Sequence, residues 1–342
     1  MKPQYLYRSK APLRISFAGG GTDVSPFAEE HGGAVLNAAI SKFAYVTLKA
    51  REDRLYSLCN LDDGLQASGP LSNAIMHEGG LTLATAVIRR LNLERGFDLV
   101  LHTEAPWGSG LGSSSTHVVA VIGAFAHWLR LPLSLYDIAE LSYEVERIDL
   151  AQEGGRQDQY SAAFGGFNFT EFTGQGVVVH PLRISNEIVN ELHYRSLLCS
   201  LGRTRNSAAI LRDQVARYRS GEPDQVQALL GTKALAYEMK NALLKGRLDA
   251  MGQLLHEGWL LKRRFSPLVS TPEIDEMYEG ALAHGAAGGK LLGAGGGGHM
   301  LFLCPDGAKQ HLAAYLADRG LSAVPFSFED CGLTQWSAVE AT

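Results

Sequence analysis

The sequence predicts an α+β protein built from two domains. Its 342 residues exceed what a single hydrophobic core commonly organises. The first half interleaves strand-like and helix-like periods. After about residue 185 the pattern turns to long helical spacing framed by a few strands. The boundary is expected within residues 185–195, which gives a first domain over 1–190 and a second over 191–342.

Residues 12–17 read as a strand running into the glycine cluster Gly19-Gly20-Gly21. Residues 43–50 and 54–58 are rich in β-branched and aromatic side chains and are expected to pair as a hairpin. Helical spacing covers 81–93. Residues 97–102 alternate as a strand and lead into a second glycine cluster, 108–112, backed by an apolar helix over 114–129. Residues 136–150 predict an amphipathic helix with Ile138, Leu141, Val145 and Ile148 on one face. Strands are expected next at 165–172 and 177–181. The second half opens with a strand at 196–200 and continues as helix over 207–283. Two strands then flank a third glycine cluster, 293–298, before a helix over 308–319 and a last strand over 322–328.

Composition narrows the function classes. Apolar residues make up 46% and charged residues 20%, values ordinary for a soluble globular protein. A formal charge of −5 leaves no electrostatic footprint for nucleic acid, and the densest basic run, Lys262-Arg263-Arg264, reads as a solvated helix face. The N-terminus carries no apolar run of signal-peptide length, and the longest apolar stretch, 118–126, is too short to span a bilayer. Cys59, Cys199, Cys304 and Cys331 lie far apart with no CxxC spacing. Two disulfides are conceivable on count alone, but scattered cysteines of this kind predict reduced thiols and a cytoplasmic protein. No nucleic-acid or membrane partner is expected; oligomeric state stays open, a homodimer included.

Glycine clusters where backbone must take unusual dihedrals or approach something closely. The second cluster carries the sharpest chemistry. Pro106, Gly108, Ser109, Gly110, Leu111, Gly112, Ser113, Ser114 and Ser115 stand between a strand and an apolar helix. Small residues let several N–H groups converge on one anion, and the helix N-terminus adds unspent donors and partial positive charge. A helix cap alone would account for one serine, not for five small residues behind a proline. The loop therefore reads as a cradle for an anion such as phosphate. No GxxxxGK[ST] motif exists, which excludes a Walker-type NTPase. The third cluster formally fits GxGxxG, but a strand follows it where a dinucleotide site needs a helix.

Pro106-x-x-x-Gly110-Leu111-Gly112-Ser113-Ser114 resembles the PxxxGLGSS signature of the GHMP kinase superfamily. Residues 11–23, APLRISFAGGGTD, resemble its first motif, and residues 290–298, KLLGAGGGG, its third. The resemblance covers nearly the whole chain. It implies a two-domain GHMP kinase fold, a mixed α+β N-terminal domain with a ferredoxin-like C-terminal domain, and ATP-dependent phosphorylation of an alcohol. The wording AGGGTDVSPF, HGGAVLNAAI, GGRQDQY and GGKLLGAGGGGHM is similar to the branch acting on heptose 7-phosphate, which implies transfer of the γ-phosphate to the anomeric O1. Fucokinases carry a similar kinase domain. A free sugar (fucose, mannose or galactose) is thus the alternative acceptor, and a catalytically silent sugar or nucleotide sensor on the same fold is the other class.

The resemblance also implies roles. Ser114 and Glu146 would hold Mg2+, which takes one or two protein oxygens, with Ser113 the alternative to Ser114. Glu146 lies beside the apolar stripe of its helix, and a solvated charge next to Glu144 and Arg147 is the competing reading. Asp158 matches the catalytic aspartate that faces the acceptor hydroxyl, although an Asp beside Gly155 also suits turn chemistry. Arg14 matches the basic residue of the first motif, able to depress the pKa of Asp158 and to stabilise charge on the transferring phosphoryl group. Gly20, Gly21, Thr22 and Asp23 are expected at the sugar, where a short carboxylate grips vicinal hydroxyls; an Asx turn is the alternative for Asp23. Arg203 and Arg205 are candidates for a second phosphate on the sugar, or ordinary exposed arginines. Gly295 and Gly296 belong to the loop expected to close over the phosphates. His299 and Ser41 stand where this branch is expected to carry an aromatic residue and an aspartate.

Overall fold

The computed structural model describes residues 4–71, 79–202 and 207–340. The first sheet grows from two long antiparallel strands, β1 (Tyr5–Ala18) and β2 (Gly33–Ala50), linked through a short helix, α1 (Phe27–His31). Next come β3 (Leu55–Asn60), β4 (Gln66–Pro70), α2 (Thr82–Leu91), β5 (Phe97–Thr103), α3 (Ser113–Leu129) and α4 (Leu135–Glu144). A π turn over Val145–Asp149 leads to α5 (Gln157–Phe164), β6 (Phe167–Thr173) and β7 (Gly176–Pro181). The sheet forks at β2, whose C-terminal half pairs β5 and whose N-terminal half pairs β6.

The hairpin expected from 43–50 and 54–58 does not form. β5 lies between β2 and β3, and β3 runs parallel to it. The turn between those segments bonds to Gly96 instead of closing on itself: Arg51 N–H donates to Gly96 O and Gly96 N–H to Asp53 O, both at 2.9 Å. A Cβ on Gly96 would stand 2.4 Å from Asp53 O, so only glycine lets β5 wedge in there.

The second half contains α6 (Asn186–Arg195), β8 (Ser196–Ser200), α7 (Ser207–Arg219), α8 (Pro223–Leu244), α9 (Leu248–Arg263) and α10 (Pro272–Ala283). It continues with β9 (Gly288–Leu291), β10 (His299–Leu303), α11 (Lys309–Ala317), β11 (Ser322–Ala323) and β12 (Thr334–Val339). The second sheet has the order β11-β8-β10-β9, antiparallel at every pairing. With helices between β8 and β9 and again between β10 and β11, this is the β-α-β-β-α-β arrangement of a ferredoxin-like unit. The strand expected over 322–328 is only two residues long, because Pro325 has no N–H to continue the ladder. The chain then crosses back, and β12 pairs with β1 at the edge of the first sheet. Its last strand therefore belongs with the first half of the molecule.

Two apolar cores determine where the cleft lies. α3 is buried nearly all round, Val118 to Phe125, between the first sheet and the neighbouring α2, α4 and α5. A second core joins the two halves: Leu13 and Ile15 of β1 pack with Met239 and Leu243 of α8, Met251 and Leu255 of α9, and Leu301 of β10. The joint is thus packed and apolar on one side, and the cleft opens beside it. Among the described residues no helix is long and apolar enough to cross a membrane. Phe125 has no exposed surface and meets Phe97 edge-on at 5.0 Å. Phe125→Ala is expected to cost about 3–5 kcal/mol by cavity formation, read as a lower urea midpoint with an unchanged slope.

Candidate active site

The glycine and serine loop between β5 and α3 forms one wall of a cleft of ≈ 1140 Å³, its open mouth included. Gly108, Gly110 and Gly112 have φ of +77°, +82° and +81°, dihedrals that glycine takes without strain. A Cβ on Gly110 would meet Leu292 O at 2.6 Å, and one on Gly112 would meet Asp158 Cγ at 3.2 Å, so the loop is pinched between the third glycine cluster and the catalytic candidate. Gly112 immediately precedes α3, and no side chain caps that helix, which leaves its first-turn donors for a ligand. Gly108, Gly110, Gly112, Ser113, Ser114 and Ser115 line the cleft. Ser109, Leu111 and Pro106 do not. Ser109 is buried and braces the loop through a 3.0 Å contact between its hydroxyl and that of Ser113. Leu111 is a core residue whose carbonyl accepts from Arg14 N–H at 3.0 Å, and Pro106 is exposed.

Glu146 is buried, 1% exposed, because the expected helix over 136–150 is interrupted. Leu150 N–H reaches back five residues to Val145 O, and the extra residue in this turn rotates the side chains around it out of the helical register. Glu146 swings inward while Ile148, expected on the apolar face, stands 65% exposed. The Glu146 carboxylate meets Ser114 Oγ at 3.2 Å and Gln159 Nε2 at 2.5 Å, and Arg147 stands 3.8 Å away. The two expected metal ligands are therefore neighbours at the start of α3.

Arg14 and Asp158 are joined. Arg14 Nε and Nη2 both donate to Asp158 Oδ1, at 2.7 and 2.6 Å, and Nη1 donates to Gly110 O at 2.6 Å. Arg14 is 3% exposed and Asp158 24%, so the carboxylate is the partner that faces the cleft. Asp158 lies in the first turn of α5, where the helix dipole favours a negative charge.

Asp23, Gly20 and Gly21 line the other end of the cleft. Asp23 accepts from Gly21 N–H, Gln157 N–H and the Gln157 side-chain amide at 3.0–3.3 Å. Burial pushes its carboxyl above the ordinary range, Gln157 N–H pulls the other way, and the nearby Asp158 charge adds to the rise. A Cβ on Gly155 would fall 1.9 Å from Asp23 Oδ2, which explains the glycine that brings this loop so close. Thr22, expected at the sugar, does not reach it. Its hydroxyl is buried between Gly19 O at 2.7 Å and Ala34 N–H at 3.1 Å, locking the turn to β2. Two polar atoms of this end have no partner among the described residues, Ser16 Oγ and Gln157 Oε1.

The third glycine loop contributes Gly293 and Ala294 to the cleft rather than the expected Gly295 and Gly296. Gly295 packs against Val269, and Gly296 lines a separate hollow with Thr271 and Met277. His299 faces the loop core, its Nδ1 2.8 Å from Ser109 O, and Ser41 bonds to Ser327. Neither lines the cleft, so neither departure from the branch pattern touches the sugar end. Arg203 and Arg205 lie outside the described residues.

Two functional candidates escape a reading of the sequence. Lys262, expected on a solvated helix face, is 7% exposed and donates to Leu291 O at 2.8 Å and to Gly293 O. Only Arg263 and Arg264 are exposed, paired to Asp275 and Asp224, since each step along a helix turns the side chain by about 100°. Lys290 opens the third motif and lines the same cleft, 6% exposed. Burial holds both ammonium groups below the ordinary lysine range. Lys290 also feels Arg14 and falls to about 7.

Comparison with known proteins accords with this geometry. The family pattern described as the GHMP kinases N terminal domain matches residues 81–166, and that of the GHMP kinases C terminal matches 239–320. A D-glycero-alpha-D-manno-heptose 7-phosphate kinase of Campylobacter jejuni is 38% identical over 96% of this chain and 98% of its own length. The bifunctional fucokinase/GDP-fucose pyrophosphorylase of Arabidopsis thaliana is 28% identical over 87% of this chain, which spans 30% of that longer protein. A crystal structure titled D-glycero-D-manno-heptose 1-phosphate kinase, from Bacteroides thetaiotaomicron, superposes with a TM-score of 0.79 at 33% identity, covering 98% of this chain and all of the other. The cradle, the Arg14–Asp158 pair and this kinship agree: the chain belongs to the GHMP kinase family, as an ATP-dependent sugar kinase.

Proposed function

We propose that the protein transfers the γ-phosphoryl group of ATP to the anomeric O1 of D-glycero-D-manno-heptose 7-phosphate. One observation carries the reading. A single cleft has an uncapped helix N-terminus at one end, Asp23 with the unpartnered Ser16 Oγ and Gln157 Oε1 at the other, and Asp158 held on Arg14 between them. Unspent buried hydrogen-bonding capacity suits a polyol, since leaving such atoms unpaired costs free energy that a sugar hydroxyl recovers.

The transfer asks the protein mainly for positioning and charge neutralisation. The acceptor oxygen attacks the γ-phosphorus as its proton passes to Asp158, and the bridging oxygen leaves with ADP. Arg14 holds Asp158 oriented to receive that proton. Ser114 Oγ and Glu146 fit a Mg2+ site, two oxygens side by side at the cradle, the small number this ion takes from protein. When bound there it would spread the charge of the phosphate oxygens. Phe265, against which a Cβ on Gly21 would press at 2.7 Å, offers an apolar wall to the sugar ring.

The similar proteins differ in the phosphate they are named for, 7 or 1, and a fucokinase is among them. ADP release with heptose 7-phosphate, heptose 1-phosphate, free heptose and fucose separates these acceptors. The reading predicts the highest kcat/KM for the 7-phosphate; faster turnover of any other would displace it. Asp158→Asn is expected to lower kcat by about 10²–10⁴-fold with the KM for ATP nearly unchanged. A near-normal kcat would remove Asp158 from the acceptor side. Glu146→Gln should raise the Mg2+ concentration for half-maximal activity by at least about tenfold, read from a Mg2+ titration at saturating ATP.

A further inference from the structure

Phosphoryl transfer needs a cation that meets the moving group on the acceptor side, and the structure indicates which one is free to do so. Arg14 has its charge paired by Asp158 and each of its three nitrogens in a hydrogen bond, to Asp158 or Gly110 O. Lys262 is committed to two carbonyls of the third glycine loop, Leu291 O and Gly293 O. Lys290 differs from both. Among the described residues it makes one hydrogen bond, to Phe17 O at 3.3 Å, and no ion pair within 4 Å. An ammonium has three N–H donors, so two are unspent on a group that is 6% exposed and lines the cleft. It lines the cleft together with Arg14, Asp158 and Asp23.

We infer that Lys290 is a further catalytic residue, whose ammonium donates to the oxygens of the phosphoryl group as it passes from ATP to the acceptor. The inference rests on the kinase reading above. As the acceptor oxygen bonds to the γ-phosphorus, the bond to the bridging oxygen breaks and its electron pair leaves on ADP. The acceptor proton goes to Asp158; the anionic phosphates favour the charged form of Lys290, which donates hydrogen bonds without giving up a proton. Its donors lie idle until the group arrives, which is the condition for stabilising the transition state more than the bound substrates. Lys262 supports the arrangement by tying Gly293 beside Gly110, so that the floor beneath Lys290 and the cradle move as one body.

The test uses Lys290→Met and Lys290→Arg in the full chain. The Met variant should lose about 10²–10³-fold in kcat, with the KM for ATP and for the sugar changed far less, and the Arg variant should recover part of it. Calorimetry supplies a readout apart from turnover. Tetrafluoroaluminate, a mimic of the group in transit, should tighten ADP binding to the wild type in the presence of sugar, and this gain should vanish in the Met variant while ADP alone binds as before. A Met variant with unchanged kcat, or one that loses ADP affinity itself, overturns the assignment. Acetic anhydride labelling of the wild type, read by mass spectrometry, decides the matter even where the variants fold poorly. Lys290 should be protected by ADP with tetrafluoroaluminate and sugar but not by ADP alone; equal protection by ADP alone counts against it. If the preferred acceptor proves to be another sugar, the acceptor assignment fails, and the Lys290 comparison is read on that sugar instead.

Discussion

The ion pair between Arg14 and Asp158 is the contact on which the site depends. It links the first long strand to the first turn of α5, and through Gly110 O it also grips the phosphate cradle. Burying a guanidinium is costly unless its charge and donors are answered. Asp158 answers the charge through Nε and Nη2, and Gly110 O accepts from Nη1. The carboxylate is thereby held at the cleft with one oxygen occupied and the other available. That one contact sets both the position and the orientation of the carboxylate.

Around this pair the cleft sorts its charges by partner. Glu146 is satisfied by Ser114, Gln159 and the nearby Arg147 beside the start of α3, and Asp23 by Gly21 and Gln157 at the other end. Lys262 and Lys290 enter from the second half of the chain, carried by α9 and β9. The apolar joint packs β1, the strand of Arg14, against α8 and α9, the latter carrying Lys262. A chemistry that needs acids from one domain and cations from the other therefore gains from a packed, rather than a hinged, junction on this side.

Much of the fold could be read from periodicity. The strand at 196–200, the helical region over 207–283, divided into α7 to α10, and the pair of strands about the third glycine cluster appear where their patterns placed them, whereas α6 is not among the expected elements. The failures share a cause, which is that pairing partners are not written locally. β5 separates β2 from β3 because Gly96 admits it, and β12 returns to β1 across the whole length of the chain. The π turn at Val145–Asp149 is a further case. One extra residue in a helix leaves no mark in an apolar stripe, yet it decides that Glu146 is buried and Ile148 exposed.

The cradle is legible in the sequence, since a run of small residues at a helix start lets backbone donors converge on an anion, and resemblance to the family's motifs nominates Arg14, Asp158, Glu146 and Asp23. Which neighbours those residues have is a matter of tertiary packing. That packing sets Thr22 to locking a turn, moves the cleft lining from Gly295 and Gly296 to Gly293 and Ala294, and turns Lys262 from a surface charge into a buried donor. Burial and partner choice depend on elements far apart in the chain, and a buried lysine differs from an exposed one only in what is packed against it.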